Sequence, residues 1–443
     1  MKISGQSKAG WARVEITPPL GLPMGGRGAQ IALGREVRDP LEAGVLLLED
    51  GRGVRQLWVS LDLVGLGFRS SVELRRNLSM LTGVAPDAVV LNFAHVHSGP
   101  MANAEKYAAK LEKPPGLQAY EEVLIERVSG AAVQAERNLS RVSVSVHRGR
   151  STIGVNRRNR DDTGKMDMRP SAHGCCNPDL WVMDLQSESG RAIIYSCGCH
   201  PVLVYGFAWN SLSADFVGVS RRRLATEFGQ TTHCQFMQGL AGNVRPRIVA
   251  DFEANVFRKP TSADVEQTGE DLANDVLEAL AASGDPIDLE LASGSSRVLL
   301  RQDPAGMPDR EHWRDLSRSD DELRRNLGRY WGERLDSGLP PVRGVVFEVG
   351  LLRLAKGHGI AWLGGEPVAE WLAVLRRALK DEDLTVWGYC QDVPCYLPTD
   401  SLLPEGGYEV VTSRWYNKDG PAPFLSGIDQ VFVEELQSLS CRI

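Results

Sequence analysis

Two histidines stand two residues apart in AHVHSGP, His95 and His97, at the end of the apolar run Ala88–Phe93. Residues i and i+2 of a strand project to the same face, so the spacing predicts two imidazoles converging at a strand end. A third histidine, His200 in CGCHP, also closes an apolar run, and Pro201 stops the strand behind it. The chain has only 8 histidines, so three at two strand ends are informative. Neutral imidazole is a common ligand of zinc, and such a trio suits a metal site as well as a packing role. The eight cysteines, among them Cys175, Cys176, Cys197 and Cys199, follow no regular framework. Adjacent and alternate cysteines lack the usual chelate spacing, so buried thiols are expected rather than a cysteine zinc site.

The elements that must carry these residues are legible in outline. Strand-like runs recur at Gly44–Leu48, Gln56–Leu63, Ala88–Phe93, Val142–Val146, Ala192–Cys197, Val345–Leu354 and Leu384–Gly388, several continuous rather than alternating, as strands buried on both faces read. Helical patterns lie at Ser71–Leu81, Tyr120–Asn138, Val219–Phe228, Ser262–Ala282 and Pro367–Lys380. Thr261 with Asp264 forms a capping box, and Pro367 suits a first helical turn. The expected fold class is α/β (mixed), a layered β-sheet core flanked by helices in a single large domain over residues 1–443. One composition shift, Gln302–Asp336, alternates charges around Trp313, Leu316, Leu323, Leu327 and Trp331. It reads as a charged helical insertion, either a surface pair with a thin apolar face or a lid.

Composition bounds the function. With 50 Lys+Arg against 57 Asp+Glu, net −7, the chain is no nucleic-acid binder. No run approaches the ~20 apolar residues of a membrane span, and the start lacks an apolar signal core, so a cytoplasmic location is expected. The expected partner is a small-molecule substrate, with a homo-oligomer possible.

Several segments, in order, carry a family resemblance: GWARVEITPPLGLPMGG, VSLDL, AHVHSGP, SADFVG, QGLAGNVRP, LGGEP, GYCQDVPCYLPT and EGGYE. Together they resemble the catalytic domain of the neutral (non-lysosomal) ceramidases and their bacterial relatives, from about Gly10 to Tyr408. The resemblance implies a zinc-dependent hydrolase of a linear, N-acyl amide bond, acting through zinc-activated water. It implies metal ligation by His95, His200, Glu366 and Tyr396, with Tyr389 the alternative tyrosine and a first-turn glutamate the other reading of Glu366. His97 would then hydrogen-bond the scissile group, move a proton or orient a ligand. Asp215 would be such an orienter or a helix N-cap. Asn156, Arg157 and Arg158 match a polar segment lining the family's site, read either as an anion-binding, catalytic cluster or as solvated arginines.

One departure bears on the substrate. Where ceramidases read GDVSPN, this chain has GNVRPR, so Asn243 replaces an aspartate and Arg245 stands at the serine position. A guanidinium there suits a carboxylate, phosphate or polyol better than a long apolar chain. The expected absence of a C-terminal β-sandwich domain after the catalytic part points the same way. A zinc esterase, lactonase or amidase of a small polar or anionic metabolite is therefore the alternative, and a non-catalytic binding protein of the same fold a third reading.

Overall fold

The computed structural model describes residues 6–27, 32–106, 115–338 and 344–443. Strand Glu42–Glu49 shows how the core is built. Val45 and Leu47 belong to the core under the helices, while Leu46 and Leu48 belong to a second core that faces another sheet. Every side chain from Ala43 to Leu48 other than the glycine is therefore buried apolar surface, the reason the run is continuous.

This strand lies third in a five-stranded sheet, ordered Val89–Phe93, Arg55–Leu61, Glu42–Glu49, Lys8–Glu15 and Ser140–Arg141. Helices Phe68–Thr82 and Pro115–Arg137 cover one face. A second five-stranded sheet runs His233–Gln238, Arg191–Cys197, Asp179–Gln186, Ser143–Arg150 and Asp285–Ile287, and helices Asp215–Phe228 and Ser262–Ala281 cover it. Between the sheets Trp58, Trp181 and Trp387 pack edge to face or tilted, with centroids 5.0 to 6.4 Å apart. A four-stranded sheet, Ala292–Arg301, Gly344–Ala355, His358–Leu363 and Thr385–Trp387, joins the same core through Leu352, Ile360 and Trp362. The expected layered sheets flanked by helices are present, and none of the described helices is long and apolar enough to cross a membrane.

Local signals held where they were chemically specific. Thr261 and Asp264 form the capping box of Ser262–Ala281. Pro367 does not open a helix: it lies in the short strand Glu366–Pro367, and the helix begins at Trp371. The charged segment folds into helices Arg310–Leu316 and Glu322–Asp336, whose thin apolar face of Trp313, Leu327 and Trp331 packs on Trp415 and Tyr416.

His233 makes one element of this fold pH-sensitive. Burial, partly offset by the Gln235 side chain, pushes its pKa from 6.5 to about 4. Between those values the unfolded chain binds a proton that the folded chain refuses, so stability falls as pH drops from 6.5 towards 4 and the penalty saturates below. His233→Gln removes this penalty. In urea melts at pH 7 and pH 4.5 the wild type should lose on the order of 2 kcal/mol more than the variant; equal losses would refute the assignment.

Candidate metal centre

The histidines are placed by backbone turns rather than by strand alternation. Strand Val89–Phe93 ends before them, and His95 takes φ 63°, so the two side chains do not share a pleated face as the spacing predicts. A left-handed residue costs about 1 kcal/mol or more and persists where the surroundings fix it. Here the His95 N–H donates to Leu63 O at 3.0 Å. The rings of His95 and His97 meet edge to face with centroids 5.0 Å apart, and His200 lies 4.9 Å from His95.

Each ring is tied by Nδ1 to a backbone carbonyl: His95 to Val64 at 2.7 Å, His97 to Gly26 at 3.0 Å and His200 to Ala241 at 2.5 Å. A carbonyl only accepts, so Nδ1 carries the proton and a neutral ring presents its lone pair at Nε2. Gly26 permits the close approach. Its φ is +74°, and a Cβ there would lie 2.5 Å from His97 Nδ1. The potential ligand atoms of His95, His97 and His200 all lie within 4.8 Å of one another, a group that could hold a metal ion.

Glu366 enters from the other side. Gly365, at φ +79°, turns the chain where a Cβ would collide with the Phe347 ring and Cys395 O. Strand Glu366–Pro367 then pairs in parallel with Tyr396–Leu397, which sets Glu366 beside Tyr396. Its Oε2 lies 3.2 Å from His95 Nε2 and 3.7 Å from His200 Nε2, and its Oε1 accepts from Lys106 Nζ at 3.3 Å. Oε2 has no hydrogen-bond partner among the described residues.

The electrostatics favour a cation. Burial, helped by the neighbouring Arg157, lowers the His200 pKa to about 4, and burial with the other two imidazoles pushes His97 well below 6.5. Burial opposes the ionisation of Glu366, but His95 and Lys106 outweigh it and hold the carboxyl well below its usual range. Neutral His97 and His200 beside a carboxylate form a ligand-ready set. His97 Nε2, His200 Nε2, Glu366 Oε2 and Tyr389 Oη are buried without a hydrogen-bond partner among the described residues. Each such atom costs about 1–3 kcal/mol, and their convergence fits a metal ion.

Tyr396 stacks on His200 with centroids 6.5 Å apart and accepts from Arg157 Nη2 at 3.0 Å. Arg157 and Arg158 are not solvated: both are buried and both donate to Glu409, at 2.8 and 2.7 Å. Arg158 also reaches Glu405 and the Gly406 carbonyl, so its nitrogens serve the wall rather than the histidine cluster.

Asp215 and Asn243 bind backbone groups beside the site. Asp215 is fully buried and binds the backbone N–H groups of Val204 and Phe216, bracing the short helix after His200. It is not the N-cap of the next helix, a place that Ala214 takes. Asn243 accepts from Ala369 N and donates to Glu370, clamping the segment after Glu366. Both brace the segments that follow His200 and Glu366. Arg245 lies on strand Val244–Pro246, next to Val244, whose carbonyl accepts from His200 N.

The opening is lined by Gly26, Val64, Lys106, Tyr396, Tyr408, Ser413, Tyr416 and Asn417. The helical pair of residues 310–336 backs this wall, with Trp331 Nε1 donating to Trp415 O at 2.8 Å. Lys106 carried no sequence signal. Glu409 lay inside EGGYE, where only its paired arginines reveal its role. All eight cysteines are free, and the histidine trio is the metal-capable group among the described residues.

A scan against protein-family models gives no match, and neither does a search of curated protein sequences. Solved structures do match. Neutral ceramidase from Pseudomonas aeruginosa superposes with a TM-score of 0.72 at 15% identity, covering 99% of this chain and 75% of that one. A ceramidase complexed with C2 gives 0.71 at 14% identity, covering 99% and 76%. The architecture is thus neutral-ceramidase-like over nearly the whole chain.

Proposed function

We propose that this protein is a zinc-dependent hydrolase that cleaves a linear amide bond of an N-acyl compound. The observation that carries the reading is the convergence of partnerless Nε2 atoms of His97 and His200 and Oε2 of Glu366 beside His95. The ceramidase-like fold supports the choice of an amide as the bond. His95, His200, Glu366 and Tyr396 are the proposed ligands. Zinc held there would supply Lewis acidity at the carbonyl and a water whose pKa is lowered to about 7.

The chain's own groups have defined tasks. His97, neutral at pH 7, accepts a proton from the attacking water at Nε2 and returns it to the leaving nitrogen. The water oxygen bonds to the carbonyl carbon, the C–N bond breaks, the amine leaves with that proton and the acid remains. Arg157, held by Glu409, donates to the Tyr396 hydroxyl and fixes it beside the developing oxyanion. Lys106 holds Oε1 of Glu366, which leaves Oε2 facing the histidines.

The test is a chelation cycle on the full chain. Purified protein should contain one zinc per chain by mass spectrometry, lose release of amine from N-acyl amides on chelation and regain it on zinc addition. Undiminished turnover after complete zinc removal would refute the reading.

A further inference from the structure

Most buried arginines of this protein have an oxygen to bind. Arg157 and Arg158 have Glu409, Arg221 has Asp62, and Arg27 and Arg414 reach backbone carbonyls. Arg245, which is only partly buried, has none among the described residues. Its Nε is buried without a partner, Nη1 reaches only the Met168 sulfur at 3.6 Å, and the guanidinium lies over the Phe257 ring at 4.6 Å. A thioether is a weak acceptor and an aromatic face supplies no directed hydrogen bond, so the fork is unused.

An unused guanidinium with no counter-ion is costly to bury. Burial, reinforced by Arg157, lowers the Arg245 pKa to about 10, so it still carries its charge at pH 7. Arg157 offers no relief, since its own donors are committed to Glu409 and Tyr396. The location is also specific. Arg245 follows Val244, whose carbonyl accepts from His200 N at 3.1 Å. It is therefore a built, positively charged position one residue from the backbone that holds His200.

We propose that Arg245 determines specificity by binding a carboxylate of the substrate, so that the amide cleaved is one borne by an acid. The planar fork matches a carboxylate with two parallel N–H···O bonds, which Lys or a neutral amide cannot reproduce. This inference rests on the hydrolase reading above. It leaves open whether the acid sits on the acyl or the amine side, and the substrates chosen separate the two.

The zinc-loaded full chain is assayed for amine release with N-phenylsuccinamate and its methyl ester, acid on the acyl side, and with N-acetylphenylalanine and its methyl ester, acid on the amine side. In at least one pair the acid should be preferred, and Arg245→Gln should lower kcat/KM for that acid about 10- to 100-fold while changing its ester less than about threefold. Arg245→Lys should restore part of the preference. Binding of 4-phenylbutyrate against 4-phenylbutanol, which cannot be cleaved, is read by calorimetry. Arg245-dependent binding of the acid without turnover of any amide supports the carboxylate site and refutes amide hydrolysis. Turnover with no preference for either acid, or equal losses for acid and ester in Arg245→Gln, overturns the carboxylate site and leaves the hydrolase standing.

Discussion

His200→Ala should empty the proposed metal site and stop turnover. Its Nδ1 is locked to Ala241 O, so the ring offers Nε2 and nothing else. Loss of a direct ligand should exceed the 10- to 100-fold fall in metal affinity typical of outer-shell changes, and amide hydrolysis should drop at least about 10²- to 10³-fold. Zinc content after dialysis and kcat/KM at saturating zinc separate the two effects. Wild-type zinc content after dialysis together with wild-type kcat/KM would mean that His200 serves packing alone. The tyrosines are resolved by the same assay. Tyr396→Phe should keep the fold and lower kcat more than it raises KM, because its hydroxyl is held by Arg157 at 3.0 Å. If Tyr389→Phe carries that loss instead, the partnerless Tyr389 hydroxyl is the ligand.

How much of this site the chain declared in advance follows from the range of each interaction. His95, His97 and His200 were legible because each ends an apolar run, and a run buried on both faces shows itself within a few residues. Their tautomers were not, since the carbonyls that fix them belong to Val64, Gly26 and Ala241, 31 to 71 residues away. Nor was the left-handed turn at His95, which made the spacing of two look like a strand face. Glu366 fell between two local readings, helix start or ligand. The structure places it in a short strand, not at a helix start, paired in parallel with Tyr396, a contact that no local pattern encodes. Asp215 had the right type for a cap, yet tertiary bonds to Val204 redirected it. Arg245 was visible as a chemical oddity, and only the packed structure shows that it has no oxygen to bind.

Arg157 and Arg158 supply the other large expected effect. Consecutive strand residues normally point to opposite faces. Here the pairing of Gly154–Arg160 with Met166–Ser171 slips between Asn156 and Arg158, and the Asn156 side chain accepts from Arg158 N at 2.7 Å. The irregularity lets both guanidiniums reach Glu409, which is itself buried. Burial opposes ionisation of Glu409, but the two arginines overcome it and hold the carboxyl below its usual range. Glu409→Gln keeps the volume and removes the charge, leaving two buried cations with one fewer anion between them. It should cost about 3–5 kcal/mol in denaturant unfolding. Replacing all three with apolar residues of similar size, Arg157→Met, Arg158→Met and Glu409→Leu, should recover much of that stability, because the charges leave together. The triple variant should nonetheless stay impaired in catalysis, having lost the donor that fixes Tyr396. A cost below about 1 kcal/mol for Glu409→Gln would mean that the carboxylate does not neutralise the pair, and the account of how Tyr396 is held would fall with it.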